Sequence, residues 1–325
     1  MQYLRNQSAR VCWNNESGEV KFIDKGVRQG GILSPFLFKL YIDNMISHIS
    51  SQEVGCRLGF LRMNIIAYAD DLVILADSAK NLSYLYQTLK LKVSDLGLLL
   101  NENKSVCMVF KSNKCVNVRE IDLGGDILQV MEDHKYLGYH ISNTLSDVND
   151  VKIRLNSFYS KFNSVIRNFS NVSVETLNFL FNSFCLPDYG LSLWNMKELK
   201  SKQIFKSFNI GYSNALKKMI GVPKYSSSHD AAEMCNQFLL KHHVALLQAR
   251  FIKRSLLVQN EIFKLCNFYL KQGYLHNSIE GCFKEVYGVN IYDNQLDVLK
   301  SRIMWMQRHE PRREVNIFYN AAGRD

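Results

Sequence analysis

Residues 65–74 of the chain read IIAYADDLVI. Apolar runs stand on both sides of Asp70 and Asp71, so the pattern predicts two buried strands, Ile65–Ala69 and Leu72–Ala76, joined by a tight turn. Two like charges about 4 Å apart repel by roughly 4 kcal/mol at an effective dielectric constant of 20. A turn that carries both acids at the end of a buried sheet therefore needs a partner of opposite charge.

A divalent metal ion is the simplest such partner, because hard cations bind carboxylate oxygens. In two-metal enzymes the ions lie about 3.5–4 Å apart and stabilise the attacking and the leaving oxygen. Neighbouring residues of a strand point to opposite faces, so we assign the direct metal contact to Asp70 rather than Asp71. The alternative is a solvated hairpin turn, in which aspartate is common.

The flanking segments predict helices packed beside this hairpin. Upstream, the glycine-rich loop Gly26–Gly31 leads to Ser34, an N-cap, and Pro35 at the first helical position. An apolar stripe then predicts a helix of about four turns, and its members are Phe38, Tyr41, Met45 and Ile49. A second stripe consists of Leu82, Leu85, Leu89, Val93 and Leu96 and ends at Gly97. Strands with packed helices predict the α+β class.

The charge of the chain is placed unevenly. Net charge is +10. Residues 1–150 hold 16 Lys and Arg against 17 Asp and Glu, whereas residues 151–325 hold 24 against 13. A basic half suggests contact with a polyanion, nucleic acid before membrane, although a solvated lysine-rich helical surface would look the same. Lys197–Lys224 has seven lysines and one acid, so we expect phosphate contact there.

The eight cysteines form neither a C-x-x-C pair nor a zinc-ligand spacing. They predict free thiols in a reducing compartment. The N-terminus lacks the apolar region of a signal peptide, and no run of roughly 18 apolar residues occurs. We therefore expect a soluble, intracellular protein that does not span a membrane.

Several motifs, in the family's order, resemble the reverse transcriptases of retrotransposons that lack long terminal repeats. They are Gly26–Pro35 (GVRQGGILSP), Phe38–Met45 (FKLYIDNM), Tyr68–Asp71 (YADD), Asn101–Ser105 (NENKS) and His134–Gly138 (HKYLG). Leu186–Trp194 (LPDYGLSLW) and Leu216–Pro223 (LKKMIGVP) resemble the thumb and connection region of the same enzymes. The resemblance weakens after about residue 225.

The resemblance implies an RNA-directed DNA polymerase, with residues 1–150 as the C-terminal part of a palm built from an antiparallel sheet and packed helices. Residues 151–225 correspond to a helical thumb, and residues 226–325 to a helical C-terminal connection region. The implied partners are an RNA template, a DNA primer and deoxynucleoside triphosphates, and the implied location is the nucleus.

The resemblance also implies roles for residues of the first motifs. Asp70 and Asp71 are the catalytic acids and bind two Mg²⁺ ions. Gln29 and Gly30 contact the templating base pair and the incoming nucleotide. The residue types suit these roles, because glycine lets a base approach the backbone and glutamine offers both a donor and an acceptor.

Further implied roles fall on residues that are less distinctive alone. Tyr68 packs beneath the primer terminus, although an aromatic in an apolar strand is often simple core. Lys104 lies near the triphosphate, where a cation neutralises charge on the leaving pyrophosphate. Tyr136, Leu137 and Gly138 form the hairpin that grips the primer strand, with an ordinary β-turn as the alternative.

The family's metal site contains a further aspartate on an upstream strand, and neither Asp24 nor Asp43 has the sequence surroundings of that motif. The matching segment, like the fingers, would precede Met1. We therefore expect little polymerisation by this chain alone.

Three alternatives stay open. A group II intron or retron type of reverse transcriptase shares the Asp-Asp turn. A non-catalytic nucleic-acid-binding remnant would bind phosphates with an affinity that falls steeply with salt. A relic with an unpaired apolar sheet edge would be prone to aggregation.

Overall fold

The structure of the chain, a computed structural model, describes residues 7–23, 26–110, 118–186 and 188–258, with the single positions 261, 264, 265 and 301. The chain divides into two compact units. The first comprises residues up to Cys107 together with Val118–Val130, and the second comprises Met108–Asn117 and everything from Met131.

The first unit combines short antiparallel strands with two long helices. The helices are α1 (Ser34–Ser50) and α2 (Ala79–Asp95). The strands are β1 (Ser8–Ala9), β2 (Cys12–Trp13), β3 (Glu16–Ser17), β4 (Lys21–Phe22), β5 (Cys56–Leu58), β6 (Leu61–Met63), β7 (Ile65–Tyr68), β8 (Asp71–Ile74), β9 (Val106–Cys107), β10 (Glu120–Asp122) and β11 (Ile127–Val130). Antiparallel pairs join β1 to β4, β2 to β3, β5 to β6 and β7 to β8, and β11 lies between antiparallel β10 and parallel β9.

The main core of this unit lies between α1, α2 and the β7–β8 hairpin. Its buried members are Ile42, Met45, Ile49, Leu85, Leu89 and Val93. Most members of the predicted helical stripes therefore face this core, whereas Leu82 packs on a second cluster around Leu123 and Leu128. Tyr41 lies beside Ile42 on the exposed side and donates its hydroxyl to the Leu96 carbonyl at 2.5 Å. Gly97 has φ 66°, which confirms that a glycine ends α2 in the left-handed region.

The second unit consists of one hairpin followed by helices. The hairpin joins β12 (Asp133–Tyr136) to β13 (Tyr139–Ser142). The helices are α3 (Val148–Asn168), α4 (Val174–Leu180), α5 (Met196–Leu199), α6 (Gln203–Met219), α7 (Ser228–Met234) and α8 (Leu240–Leu257), with a π-helical turn at Phe181–Cys185 and a 3-10 turn at Leu191–Leu193.

An aromatic cluster from α3, the π-helical turn and α6 forms the centre of the second unit. Phe158, Phe181 and Tyr212 are fully buried, and their ring centroids lie 5.6–6.1 Å apart. Such stacked and edge-to-face pairs add to the free energy of burial of each ring. Tyr139 of the hairpin at the start of the unit packs against this core.

The architecture confirms the predicted α+β class. Five of the cysteines lie in the part of the chain that the structure describes, and all five are free thiols. No helix within the described ranges has both the length and the apolarity to cross a bilayer. The division into palm, thumb and connection domains stays a prediction, and most of residues 259–325 lie outside the described positions.

Candidate functional site

Asp70 and Asp71 lie at the tip of the β7–β8 hairpin. Tyr68 and Asp71 are the last cross-strand pair, so Ala69 and Asp70 form a two-residue turn. Ala69 has φ 53°, in the left-handed region that usually favours glycine. An alanine there costs roughly 1 kcal/mol of backbone strain. The strained residue therefore directly precedes both acids at the tip of the hairpin.

The cross-strand pairs determine which residues share a face of this hairpin. Ile65, Leu72 and Ile74 pack on the core between the helices, so the alternate positions form the outer face. Tyr68 and Asp71 therefore share the outer face, while Asp70 lies in the turn between the strands.

The prediction that both strands are buried is wrong, because every residue of β7 and β8 is half-buried or exposed. Ile66 is exposed, and 64% of Tyr68 is exposed. The helices cover one face of the hairpin, and among the described strands only β7 and β8 belong to this sheet. The exposure of Tyr68 excludes the simple-core interpretation and leaves its ring accessible to a ligand.

The two carboxylates fit a hard divalent cation. Both aspartates are exposed, and Mg²⁺ is typically held by one or two carboxylates with water and substrate phosphates as further ligands. The described residues contain no group of three or more His, Cys, Asp or Glu that could hold a metal ion. Asp70 and Asp71 can thus supply part of a Mg²⁺ coordination shell.

The loop before α1 holds Gln29 and Gly30 at the corners of a β-turn. Gly31 donates its N–H to the Arg28 carbonyl at 3.1 Å, and Gly30 has φ 75°, as the third position of a type II turn requires. A Cβ added to Gly30 would meet no heavy atom within 4 Å. The space above this glycine is therefore open for a ligand to approach the backbone.

Ser34 fixes this turn instead of capping the helix. The predicted N-cap is wrong, because Leu33 occupies that position without a side-chain hydrogen bond. The buried Ser34 hydroxyl instead donates at 2.5 Å to the Arg28 carbonyl, which also closes the turn. Pro35 supplies the fixed φ that suits the start of α1.

Lys104 is exposed and ends a 3-10 turn whose first residue, Glu102, is anchored by Lys90. The Lys90 ammonium lies 2.5 Å from Asp126 and 2.9 Å from Glu102. Hydrogen bonds to Asp126 and then Glu102 raise the pKa of Lys90, and the same contact lowers the pKa of Asp126. This bridge joins the Lys104 loop to the β10–β11 turn.

The predicted primer-gripping residues form the turn of the β12–β13 hairpin in the second unit. Tyr136 pairs with Tyr139, and Leu137 and Gly138 are the two turn residues, at φ 45° and 79°. Two left-handed residues characterise a type I′ turn. We call Leu137–Gly138 the grip turn. A glycine at position 138 was expected in this turn. A leucine with a left-handed backbone conformation at position 137 was not.

A buried polar network lies behind the grip turn. The Asp150 carboxylate is 1% exposed. It accepts Arg154 Nε at 2.5 Å, Trp194 Nε1 at 2.8 Å and the His140 N–H at 3.2 Å. A second carboxylate, that of Asp147, accepts a hydrogen bond from the Tyr139 hydroxyl at 2.5 Å. Burial raises the pKa of Asp147 and of Tyr139.

Sequence reasoning missed this network. Asp150 and Arg154 stand four positions apart on α3, and each directly precedes a residue of the aromatic core, Val151 and Leu155. The sequence signal for the network was an acid and an arginine four positions apart on an otherwise apolar face of a helix, a spacing at which the two side chains can pair.

The lysine-rich segment is divided among α5, α6 and the following loop. Lys217 is only 6% exposed, and its ammonium donates to the Lys224 carbonyl at 2.8 Å. Burial lowers the pKa of Lys217. Lys200, Lys206, Lys218 and Lys224 are exposed and can reach phosphates. Phosphate contact is therefore expected of these exposed lysines and not of Lys217.

Residues 1–141 match the family described as reverse transcriptase (RNA-dependent DNA polymerase). All nine of the predicted site residues fall in this range. The match thus covers both the aspartate hairpin and the grip turn.

The chain is also similar to polyproteins of mobile elements. It is 32% identical over 128 residues to the Retrovirus-related Pol polyprotein from type-2 retrotransposable element R2DM of Drosophila melanogaster. The matched segment covers 37% of this chain and 12% of that relative. It is 35% identical over 102 residues to the Retrovirus-related Pol polyprotein from type-1 retrotransposable element R2 of Popillia japonica, covering 31% and 13%.

A longer similarity joins the chain to the RNA-directed DNA polymerase from mobile element jockey of Drosophila melanogaster, at 20% identity over 239 residues. It covers 70% of this chain and 25% of that relative. The chain thus spans a quarter or less of the length of these relatives. Residues 1–141 carry a reverse transcriptase domain.

Proposed function

We propose that the chain provides catalytic and primer-binding parts of an RNA-directed DNA polymerase of a retrotransposon. The observation that carries the proposal is the exposed Asp70–Asp71 pair, which directly follows the strained Ala69 at the tip of a hairpin, inside the segment that matches reverse transcriptases. A merely structural turn would not need two adjacent acids at a left-handed alanine. Carboxylates that serve as metal ligands account for both features.

The first unit carries the residues for the chemistry. Asp70 and Asp71 supply oxygen ligands for Mg²⁺, which, when bound, stabilises charge on the reacting oxygens. The Gln29 amide and the open backbone at Gly30 contact the nucleotide and its templating base. Tyr68 offers an exposed ring on the same hairpin face as Asp71, on which the primer terminus can stack. The exposed ammonium of Lys104 neutralises triphosphate charge.

The second unit binds the nucleic acid. We assign the grip turn and Tyr136 to the primer strand, and the exposed lysines at 200, 206, 218 and 224 to phosphates. By this assignment the first unit belongs to the palm and the helices after the hairpin to the thumb. Reduced cysteines agree with an intracellular site of action, and we place it in the nucleus.

A second candidate is a nucleic-acid-binding protein without polymerase activity. The described residues provide two neighbouring carboxylates and no third ligand of the acidic, His or Cys type. The exposed lysines of the second unit do not depend on those carboxylates. Binding would then persist without metal and without extension.

Primer extension on an RNA template with Mg²⁺ tests the proposal. The chain is assayed as it is and fused behind the upstream part of the R2DM polyprotein, each with Asp70→Ala, Asp71→Ala and the control Asp43→Ala. Asp43 is an exposed acid on α1 of the same unit. We expect extension by at least the fused protein, a loss of two or more orders of magnitude in both turn variants, and no loss in the control.

The outcomes separate the two candidates. Extension that survives Asp70→Ala and Asp71→Ala would contradict the metal-ligand role. Salt-dependent binding of the primer–template by a fused protein that never extends it would favour the non-catalytic candidate.

A further inference from the structure

The conformation of the grip turn is not favoured by its own two residues. A type I′ turn prefers Asn-Gly or Gly-Gly, because both residues need a positive φ. Here the first residue is Leu137, for which the left-handed region costs roughly 1 kcal/mol. Contacts from outside the hairpin must therefore stabilise the turn.

Two side chains from other elements supply these contacts. The Tyr189 hydroxyl donates to the Leu137 carbonyl at 2.5 Å. Arg154 Nη2 donates to the Gly138 carbonyl at 3.3 Å. Each turn residue thus has its carbonyl oxygen held by a different side chain.

Tyr189 also packs directly on the turn. A Cβ added to Gly138 would lie 3.0 Å from Cε1 of the Tyr189 ring. The next residue, Gly190, has φ 83°, and a Cβ there would lie 2.6 Å from Arg154 Nη2. Glycine at 138 and at 190 therefore allows the two segments to approach, and a side chain at either position would crowd Tyr189 or Arg154.

The two supporting side chains differ in their surroundings. Arg154 is buried and fixed by Asp150, so it belongs to the folded core of the unit. Tyr189 is 65% exposed, yet its hydroxyl donates a hydrogen bond to the turn. An exposed aromatic contributes little to the stability of the core, so the contact of Tyr189 must be explained by the turn it holds.

We propose that Tyr189, supported by Arg154, is a positioning residue that holds the grip turn in the conformation that binds the primer 3′ end. The inference rests on the proposed primer-binding role of Tyr136, Leu137 and Gly138. Arg154 fixes one carbonyl from within the unit, and Tyr189 fixes the other from its surface. The turn then presents the same backbone shape to every primer.

The variant Tyr189→Phe tests this inference, because it keeps the ring against Gly138 and removes only the hydroxyl donor. Tyr225→Phe is the matched control, since Tyr225 is a similarly exposed tyrosine of the same unit. The full chain is titrated with an RNA template carrying a recessed DNA primer and with the single-stranded RNA alone. A 2-aminopurine at the primer 3′ end reports the environment of the terminal base.

We expect Tyr189→Phe to weaken binding of the recessed primer–template about five-fold, the usual effect of one lost hydrogen bond. Binding of the single-stranded RNA stays unchanged, the melting temperature falls only slightly because a single hydrogen bond at an exposed side chain is lost, and the 2-aminopurine signal shifts toward that of free primer. Tyr225→Phe behaves as the unchanged protein on both substrates.

Two results overturn the inference in distinguishable ways. If the unchanged chain binds the recessed primer–template no better than the single-stranded RNA, the primer-binding role itself fails, and the inference with it. If the unchanged chain prefers the recessed substrate and Tyr189→Phe keeps that preference, or weakens both substrates equally, only the positioning role fails.

Discussion

The indole N–H of Trp194 donates to Oδ2 of Asp150 at 2.8 Å, and both side chains are buried. The same oxygen accepts from Arg154. One carboxylate oxygen therefore serves two donors from different parts of the second unit.

Removal of this carboxylate should strongly destabilise the second unit. Asp150→Ala leaves the buried Arg154 guanidinium without its counter-charge, which typically costs about 3–5 kcal/mol. Urea unfolding measures the change. Glu261→Ala, which breaks an exposed ion pair with Lys264, is the control and should change the free energy of unfolding by less than about 1 kcal/mol. Equal effects of the two substitutions would contradict the network.

The pH dependence of stability should carry a contribution from Asp147. Burial raises the pKa of Asp147 in the folded state. Because its folded pKa lies above that of the unfolded chain, the folded state binds the proton more tightly. The contribution of this group to the free energy of unfolding therefore rises as the pH falls through the folded pKa toward about 4.

The variant Asp147→Asn isolates this contribution. Relative to Asp147→Asn, the unchanged chain should become more stable between neutral pH and about pH 4. Urea unfolding at several pH values measures the difference. Asp95→Asn, at an exposed position of α2, controls for the loss of one negative charge. A difference that is flat with pH would refute this role of Asp147.

Magnesium should stabilise the first unit through the aspartate hairpin. Without metal, Asp70→Asn and Asp71→Asn should raise the melting temperature slightly, because each removes a repulsion between neighbouring charges. Millimolar Mg²⁺ should raise the melting temperature of the unchanged chain and of Asp43→Asn, but not of the two turn variants. Equal stabilisation of all four proteins would show that the ion binds elsewhere.

The strain at Ala69 predicts an unusual response to glycine. Replacement of alanine by glycine in a strand usually costs about 0.5–1 kcal/mol. At Ala69 the positive φ offsets this cost, so Ala69→Gly should leave stability unchanged or raise it. Ala67→Gly in β7 of the same hairpin is the control and should show the usual loss. A similar loss in both variants, measured by urea unfolding, would argue against the left-handed turn.

Lys217 and Lys218 should differ sharply in nucleic-acid binding. Lys218 is exposed, so Lys218→Met should weaken RNA binding and reduce the slope of log K against log salt by about 0.7–0.9. Lys217 is buried against the Lys224 carbonyl, so Lys217→Met should leave that slope unchanged. Equal changes in slope would contradict the burial of Lys217.

The sequence was sufficient for features that depend on local patterns. The stripe that ends at Gly97 predicted α2 and its C-terminus, and the apolar runs around Asp70 predicted the hairpin. These elements follow from periodicity and turn chemistry, which act over a few residues.

Features that depend on distant partners could not be predicted. Ser34 had the sequence of an N-cap, but the carbonyl of Arg28 captured its hydroxyl. Tyr68 lay in an apolar strand, yet most of its surface is exposed. Lys217 could not be distinguished from Lys218, because only tertiary packing decides which lysine is buried.

The contact between Tyr189 and the grip turn joins positions that are 52 residues apart. On a ribosome that adds about 5–20 residues per second, the hairpin is made roughly 3–10 s before its partner. During that interval Arg154 can support the Gly138 carbonyl, but the hydrogen bond to the Leu137 carbonyl cannot form. By the proposed role of Tyr189, the turn can hold a primer only after the segment around Tyr189 has been synthesised and has docked.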